Sequence, residues 1–316
     1  MTSPHRSHGI ALVTALLIVA LASVAAVSLT TQQQLDIRRT GNLIDGDQAW
    51  AYATGGESWA KLILRRDLER TPGIDHLGEV WAQPLTPIKL PGGYMIGRIS
   101  DAQARFNLNN LVQGNGPNND AVLQMRRLLI LLELNPSLVD ATVDWIDPDI
   151  NVRLPNGAED DYYSNLDRPY RTANQPMASV SELRLVKGVN EKIYQEILPY
   201  VTALPSTSGT ATPINVNTAT PQVLATLADG MDVDQGMALV KLRQGNPFKD
   251  VTTFTDALKV VASGVTVASG VSASTSTTYF DVHVETEIGY GRAALTSLLS
   301  RTEQEIQVVR RAQGVN

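Results

Sequence analysis

Between Asp140 and Asp167 the chain places eight carboxylates (Asp140, Asp144, Asp147, Asp149, Glu159, Asp160, Asp161 and Asp167) against a single base, Arg153. So many acids on a short segment repel one another unless water or a cation lies among them. The surrounding sequence, DWIDPDINVRLPNGAEDDYY, offers oxygen ligands only, with neither histidine nor cysteine. An oxygen-only set suits calcium, which takes six to eight such ligands. Asp147 and Asp149 on one limb, with Glu159, Asp160 and Asp161 on the other, form the candidate ligand set. The residues alone leave two readings open, a calcium loop and a solvated acidic loop.

Asp147-x-Asp149-x-Asn151 copies the opening of an EF-hand loop, but Val152 stands at its glycine position, Ala158 stands at its bidentate position, and Glu159 comes one place late. Other chemistry is poorly supplied. The sequence has no cysteine, which removes disulfides, thiolate zinc sites and cysteine nucleophiles together. Its four histidines, His5, His8, His76 and His283, belong to no HExxH pattern, and neither GxSxG nor a phosphate-loop motif occurs. The reading is a non-enzymatic protein. A net charge of −6 weighs against a nucleic-acid-binding surface.

These residues sit within 316 positions, 43% of them hydrophobic, enough for one membrane helix plus one large or two small folded units. No charge interrupts the chain between Arg6 and Asp36, so one helix across a bilayer fits there, with the rest of the chain in the periplasm. The helix continues to about Arg70, with Leu35, Leu43, Ala49, Tyr52, Ala53, Trp59, Leu62 and Ile63 as its apolar positions and glycines at 41, 46, 55 and 56. TPGID ends it. GGYMIGRISDAQARFNLNNL predicts two short strands around SDAQ. Six segments of helical periodicity follow, and then Tyr279–Ile288 alternates as a strand before two more, RAALTSLLSRT and EIQVVRRAQ. The fold class is α+β: a long N-terminal helix and an antiparallel sheet, interrupted by an all-α insertion. The expected divisions are a leader at 1–9, a transmembrane helix at 10–30, a sheet domain at 31–110 and 276–316, and the insertion at 111–275.

MTSPHRSHG followed by IALVTALLIVALASVAAVSL resembles the type IV prepilin family. That resemblance implies cleavage by prepilin peptidase after Gly9, with Ile10 as the new, methylated N-terminus. Thr14 stands fifth in the mature chain, where most of that family carry a glutamate, taken to pair with a neighbouring amine during assembly. A carboxylate in a bilayer is costly, and a chain without one suits an end unit better than an internal one. The missing glutamate, with DWID-x-D…NGAEDDYY…PYRTAN…SVSEL, is similar to the K-type minor pseudopilins of type II secretion, and the likeness covers almost the whole chain. It implies a pilin-like sheet domain, a calcium-binding helical insertion, and a non-enzymatic role at the pseudopilus tip in protein export. Its partners would be other minor pseudopilins, and at the tip a secreted substrate or the outer-membrane secretin.

LRLVKGVNEKIYQEILPYV and PINVNTATPQVLATL…ALVKLRQGNPFKDVTTF are similar to the helix-hairpin-helix repeats of competence-type DNA receptors, so a membrane-tethered DNA-uptake receptor is the alternative. Those repeats bind phosphates at a helix N-terminus. Here Asp229, Asp232 and Asp234 occupy the second hairpin, which favours helix packing over DNA, and no nucleic-acid partner is expected.

Overall fold

The computed structural model describes residues 8–205, 209–262, 264–265 and 272–314. Most of the expected leader, residues 1–7, therefore lies outside the described residues. A single helix, α1 (His8–Arg70), opens the fold. Its 63 residues span about 95 Å at 1.5 Å per residue. From 10 to 40 every side chain is exposed, and this part of α1 is long and apolar enough to cross a membrane.

The second half of α1 packs on a five-stranded antiparallel sheet of β1 (Ile88–Leu90), β2 (Gly93–Asp101), β3 (Tyr279–Ile288), β4 (Gly291–Arg301) and β5 (Ile306–Gln313), arranged in that order. The buried stripe of α1 runs Ala49, Ala53, Gly56, Ala60, Leu64, at helical spacing. This differs from the sequence expectation: Leu35, Leu43, Trp59 and Leu62 are exposed. Small residues make the contact because the helix lies very close to the sheet. A Cβ on Gly56 would stand 2.8 Å from Val284 Cγ1 and 2.9 Å from Met95 Sδ.

Polar anchors fix both ends of the helix on the sheet. Asp45 accepts the Tyr290 amide in the β3–β4 turn at 3.0 Å. At the other end the Arg301 guanidinium, at the close of β4, donates to Asp67 at 3.0 Å and to Asp75. Between them Glu57 accepts from Ser297 and from both Nε and Nη2 of Arg311, which holds its carboxyl down at about 2 against the opposing effect of burial.

The sheet is a meander with one long detour between β2 and β3. These strands are adjacent, and Asp101 pairs with Phe280, so the chain leaves and returns at neighbouring positions and the sheet closes as if nothing intervened. Asp101 marks the departure. One of its oxygens caps a 3₁₀ turn by accepting the Gln103 amide at 2.7 Å, and the other accepts from Asn215, Thr218 and Thr277. That turn explains a second departure from expectation. Phe106–Asn107 does not join the sheet but pairs in parallel with Val201–Thr202, and Phe106 and Leu108 are buried in the helical unit.

The detour contains α2 (Asn119–Leu131), α3 (Leu138–Ile146), α4 (Asp160–Ser164), α5 (Glu191–Ile197), α6 (Pro221–Ala225), α7 (Val233–Gly245) and α8 (Val251–Val261). It has two cores, one around Met125, Trp145 and Tyr163 and one around Leu224, Leu239 and Phe254.

Candidate metal centre

Helix α3 is buried along its whole length, yet it carries Asp140 and Asp144, and Asp147 caps its end. Spacings of four and three put these carboxylates on one face. Asp140 is neutralised where it stands, its Oδ1 accepting from Arg126 Nη2 at 2.8 Å and Arg153 Nε at 3.2 Å. Among the described residues, Asp144 and Asp147 have no such cation. Asp144 Oδ2 accepts the Arg153 amide at 3.0 Å, which folds the 148–156 loop back over the helix end. Gly157 completes that return: a Cβ there would lie 2.1 Å from Asp144 Oδ2 and 2.6 Å from the Arg153 carbonyl.

Glu159, just before α4, brings the second limb in. Its Oε2 accepts from the Thr172 hydroxyl at 3.2 Å. Asp147, Asp149 and Glu159 each offer an oxygen within 4.8 Å of the others. Among the described residues, four buried side-chain polar atoms have no hydrogen-bond partner: Asp144 Oδ1, Asp147 Oδ1, Glu159 Oε1 and Asn174 Oδ1. All four are acceptors; three are carboxylate oxygens of the acidic segment, and Asn174 lies seven residues beyond it. A buried acceptor left unpaired costs about 1–3 kcal/mol, so the oxygens of the neighbouring Asp144, Asp147 and Glu159 call for a positive partner. Asn174 adopts a left-handed backbone, φ +48°, while its amide donates to the Trp145 carbonyl at 3.1 Å.

Electrostatics agree with the geometry. Burial first, and then neighbouring carboxylates, push Asp147 up to about 6 and Glu159 up to about 7, and burial also raises Asp144. Free of a cation, the cluster takes up protons. The donors are oxygen only, so the site fits a hard cation of the calcium type and not zinc, which favours nitrogen and sulfur.

The structure thus unites Asp147, Asp149 and Glu159 but not the whole set expected from sequence. Asp160 turns its carboxylate to Thr172, accepting from the amide at 3.0 Å and the hydroxyl at 2.8 Å, and Asp161 is exposed. Asp144, on the preceding helix, is close enough to raise both Asp147 and Glu159, and the Asn174 backbone is tied to the end of α3 through Trp145. In a different buried group, Asp67, Asp75 and Glu79, the first two hold the Arg301 guanidinium, and Glu79 is met by Thr71, His76 and Trp81. That group is an ion-pair network with its cation built in.

The remaining predicted positions lie elsewhere. Gly9 falls in the first turns of α1, Ile10 is 71% exposed, and the Thr14 hydroxyl donates within the helix to the Ile10 and Ala11 carbonyls, both at 3.0 Å. In the second hairpin Asp232 caps α7 by accepting the Gln235 amide at 2.8 Å, and Asp229 pairs with Arg127 at 2.8 Å. The helix N-terminus that a phosphate would need is filled by the chain's own carboxylate.

Comparison with known proteins agrees with this architecture. Residues 104–206 and 214–274 match the two family descriptions of "Type II secretion system (T2SS), protein K", and the two segments coincide with the two helical cores. The chain is 40% identical over 321 residues to type II secretion system protein K of Pseudomonas aeruginosa, covering 97% of this chain and 93% of that one. It is 33% identical to the Aeromonas hydrophila protein K over 332 residues, 99% of each. The crystal structure of the GspK-GspI-GspJ complex from the enterotoxigenic Escherichia coli Type 2 Secretion System contains a chain that superposes with a TM-score of 0.76 at 28% identity, covering 88% of this chain and 100% of that one. The chain belongs to the type II secretion system protein K family and is a minor pseudopilin of that system.

Proposed function

We propose that this minor pseudopilin stands at the tip of the pseudopilus, where it nucleates or caps assembly for the export of folded periplasmic proteins and performs no catalysis. The observation that carries the reading is where the insertion sits. The apolar half of α1 leaves the sheet beyond the Asp45–Tyr290 anchor, whereas the insertion leaves at Asp101 and Phe280, beside the opposite anchor at Arg301. With α1 in the inner membrane, the helical unit faces away from it and covers the surface onto which a further subunit would stack. Thr14 supports the same reading. Its hydroxyl is satisfied inside its own helix, so it offers no charge to a subunit above.

Prepilin peptidase cleaves after Gly9 in this account, and the methylated chain begins at Ile10. The partners are other minor pseudopilins, by analogy with the three-protein complex of the structural relative, and at the tip a secreted substrate or the secretin. Asp144, Asp147, Asp149, Glu159 and Asn174 would hold calcium, which supplies the positive charge their orphaned oxygens lack and fastens the 148–156 loop and the PYRTAN segment to α3. Mass spectrometry of the membrane-extracted protein tests the route into the pseudopilus. A mature chain starting at Ile10 supports it; an uncut Met1, or a start near Ala26, defeats it.

A further inference from the structure

Asparagine is followed by glycine at two places in the sequence, Asn115–Gly116 and Asn156–Gly157. Asparagine is a thermolabile residue, and glycine after it opens a particular route of decay. The glycine nitrogen loses its proton to solvent base and attacks the side-chain carbonyl carbon, an approach that the missing Cβ leaves clear. A bond forms between that nitrogen and Asn Cγ, the side-chain amino group leaves as ammonia with a proton from solvent, and a cyclic imide remains. Water then opens the imide at either carbonyl, giving aspartate or isoaspartate, whose backbone is longer by a methylene.

The fold treats the two pairs differently. Asn115 is exposed in the hairpin that joins Val112–Gln113 to Gly116–Pro117, and a Cβ on Gly116 would meet nothing within 4 Å. Asn156 is exposed as well, but Gly157 behind it is buried and held from both sides. Its amide donates to the Arg153 carbonyl at 2.7 Å, and its carbonyl accepts from Lys187 Nζ at 3.0 Å. A buried, hydrogen-bonded amide loses its proton only when the local structure opens, so decay at Asn156 requires the 153–157 turn to come apart. Asp144 Oδ2 fastens that same turn through the Arg153 amide, beside the orphaned oxygens of Asp144, Asp147 and Glu159. Whatever draws the carboxylates together also holds the turn shut.

We propose that Asn156 is a self-modification site gated by the acidic centre: a bound cation keeps the turn shut and preserves Asn156, and loss of the cation lets Asn156 convert to aspartate and isoaspartate. The inference rests on the calcium reading above. The change runs one way. Isoaspartate inserts its methylene just ahead of Gly157, where even a Cβ would collide with Asp144 Oδ2 and stand 2.7 Å from the Arg153 nitrogen, so the modified loop no longer closes over the centre. Either product adds a negative charge to a segment already dense in carboxylates. A chain that has lost its cation is thereby retired.

The test uses the full-length protein, purified from membranes in detergent and incubated at neutral pH either with EDTA or with calcium at about 100 times its measured dissociation constant. Peptide mass spectrometry follows the exchange of NH2 for OH at each site. Because only the shut turn binds the ion, calcium at that concentration lowers the open fraction about a hundredfold, and conversion of Asn156 should slow by about the same factor. Asn115 is the internal comparison and should convert equally fast in both buffers. The double variant Asp147→Asn, Glu159→Gln should convert Asn156 at the EDTA rate in either buffer. Fully converted wild-type chains should bind calcium at least about tenfold more weakly than fresh ones. Isothermal titration on the same preparation keeps the two readings apart. If calcium binds but Asn156 converts equally fast in both buffers, or stays intact in EDTA while Asn115 converts, the gating is overturned and the calcium reading stands. An unchanged affinity after conversion overturns the one-way step. If no calcium binds, the calcium reading fails first and the gating with it.

Discussion

Calcium and protons should compete for the acidic centre, and the competition has a calculable size. In the cation-free protein Asp147 is raised to about 6 and Glu159 to about 7, from ordinary values of 3.8 and 4.5. Both folded values lie above the unfolded ones, so the protons stabilise the fold fully below about pH 4, and that contribution is lost as pH rises through 6 and 7. Each group shifts by two units or slightly more, about 3 kcal/mol apiece as an upper bound, and the pair gives less than the sum because each carboxylate raises the other. Calcium binds the ionised forms. At pH 6 half of Asp147 and most of Glu159 are protonated, so binding must displace more than about one proton, and affinity should fall by roughly twentyfold between pH 8 and pH 6. Isothermal titration in buffers of different ionisation enthalpy reads both quantities, with proton release above about one at pH 6 and near zero at pH 8. The double variant Asp147→Asn, Glu159→Gln keeps the shapes but removes the charges, and should lose calcium binding and the pH dependence together. An affinity unchanged across this range, or binding retained by the double variant, would refute the assignment of these carboxylates.

Other consequences are separable from that one. Gly157→Ala forces a methyl group against Asp144 Oδ2 and the Arg153 carbonyl, and should cost about 1–3 kcal/mol of stability and weaken calcium binding, as read by thermal melts with and without the ion. Burial, helped by Glu79 and Asp75, raises Asp67 to about 7. Its folded value exceeds the unfolded 3.8, so stability declines as pH rises from about 4 through 7, and Asp67→Asn should melt higher than wild type at pH 8, by about 1–3 kcal/mol, with the advantage gone below about pH 4. Glu57 has the opposite sign. Its carboxyl is depressed to about 2 by Arg311, so its contribution is present above 4.5 and lost as pH falls through 2; Glu57→Gln should cost about 2 kcal/mol at pH 7 and little near pH 2 in denaturant titrations.

Periodicity reveals some of this protein and hides the rest for physical reasons. The uncharged run before Asp36 and the alternation of Tyr279–Ile288 are local patterns, and both correspond to elements in the structure. The contact face of α1 was illegible because a helix close to a sheet is lined with alanine and glycine, while periodicity follows the large residues, which here face outward. Phe106 reads as a strand in series with β2, but the turn capped by Asp101 sends it into the helical unit. At the acidic centre, composition gives the ligand type and the neighbourhood. It does not say which carboxylates converge, because Asp144 arrives on a helix face and Asp160 is diverted by Thr172. A count of acids treats all eight alike, whereas burial and hydrogen bonding sort them.

The central claim is position at the tip, and labelling the helical insertion on isolated pseudopili tests it most directly. Gold bound to an epitope in the exposed 148–156 loop, viewed by electron microscopy, should mark one end of each filament and no point along its length. Label distributed along the shafts would make this chain an internal subunit and contradict the account.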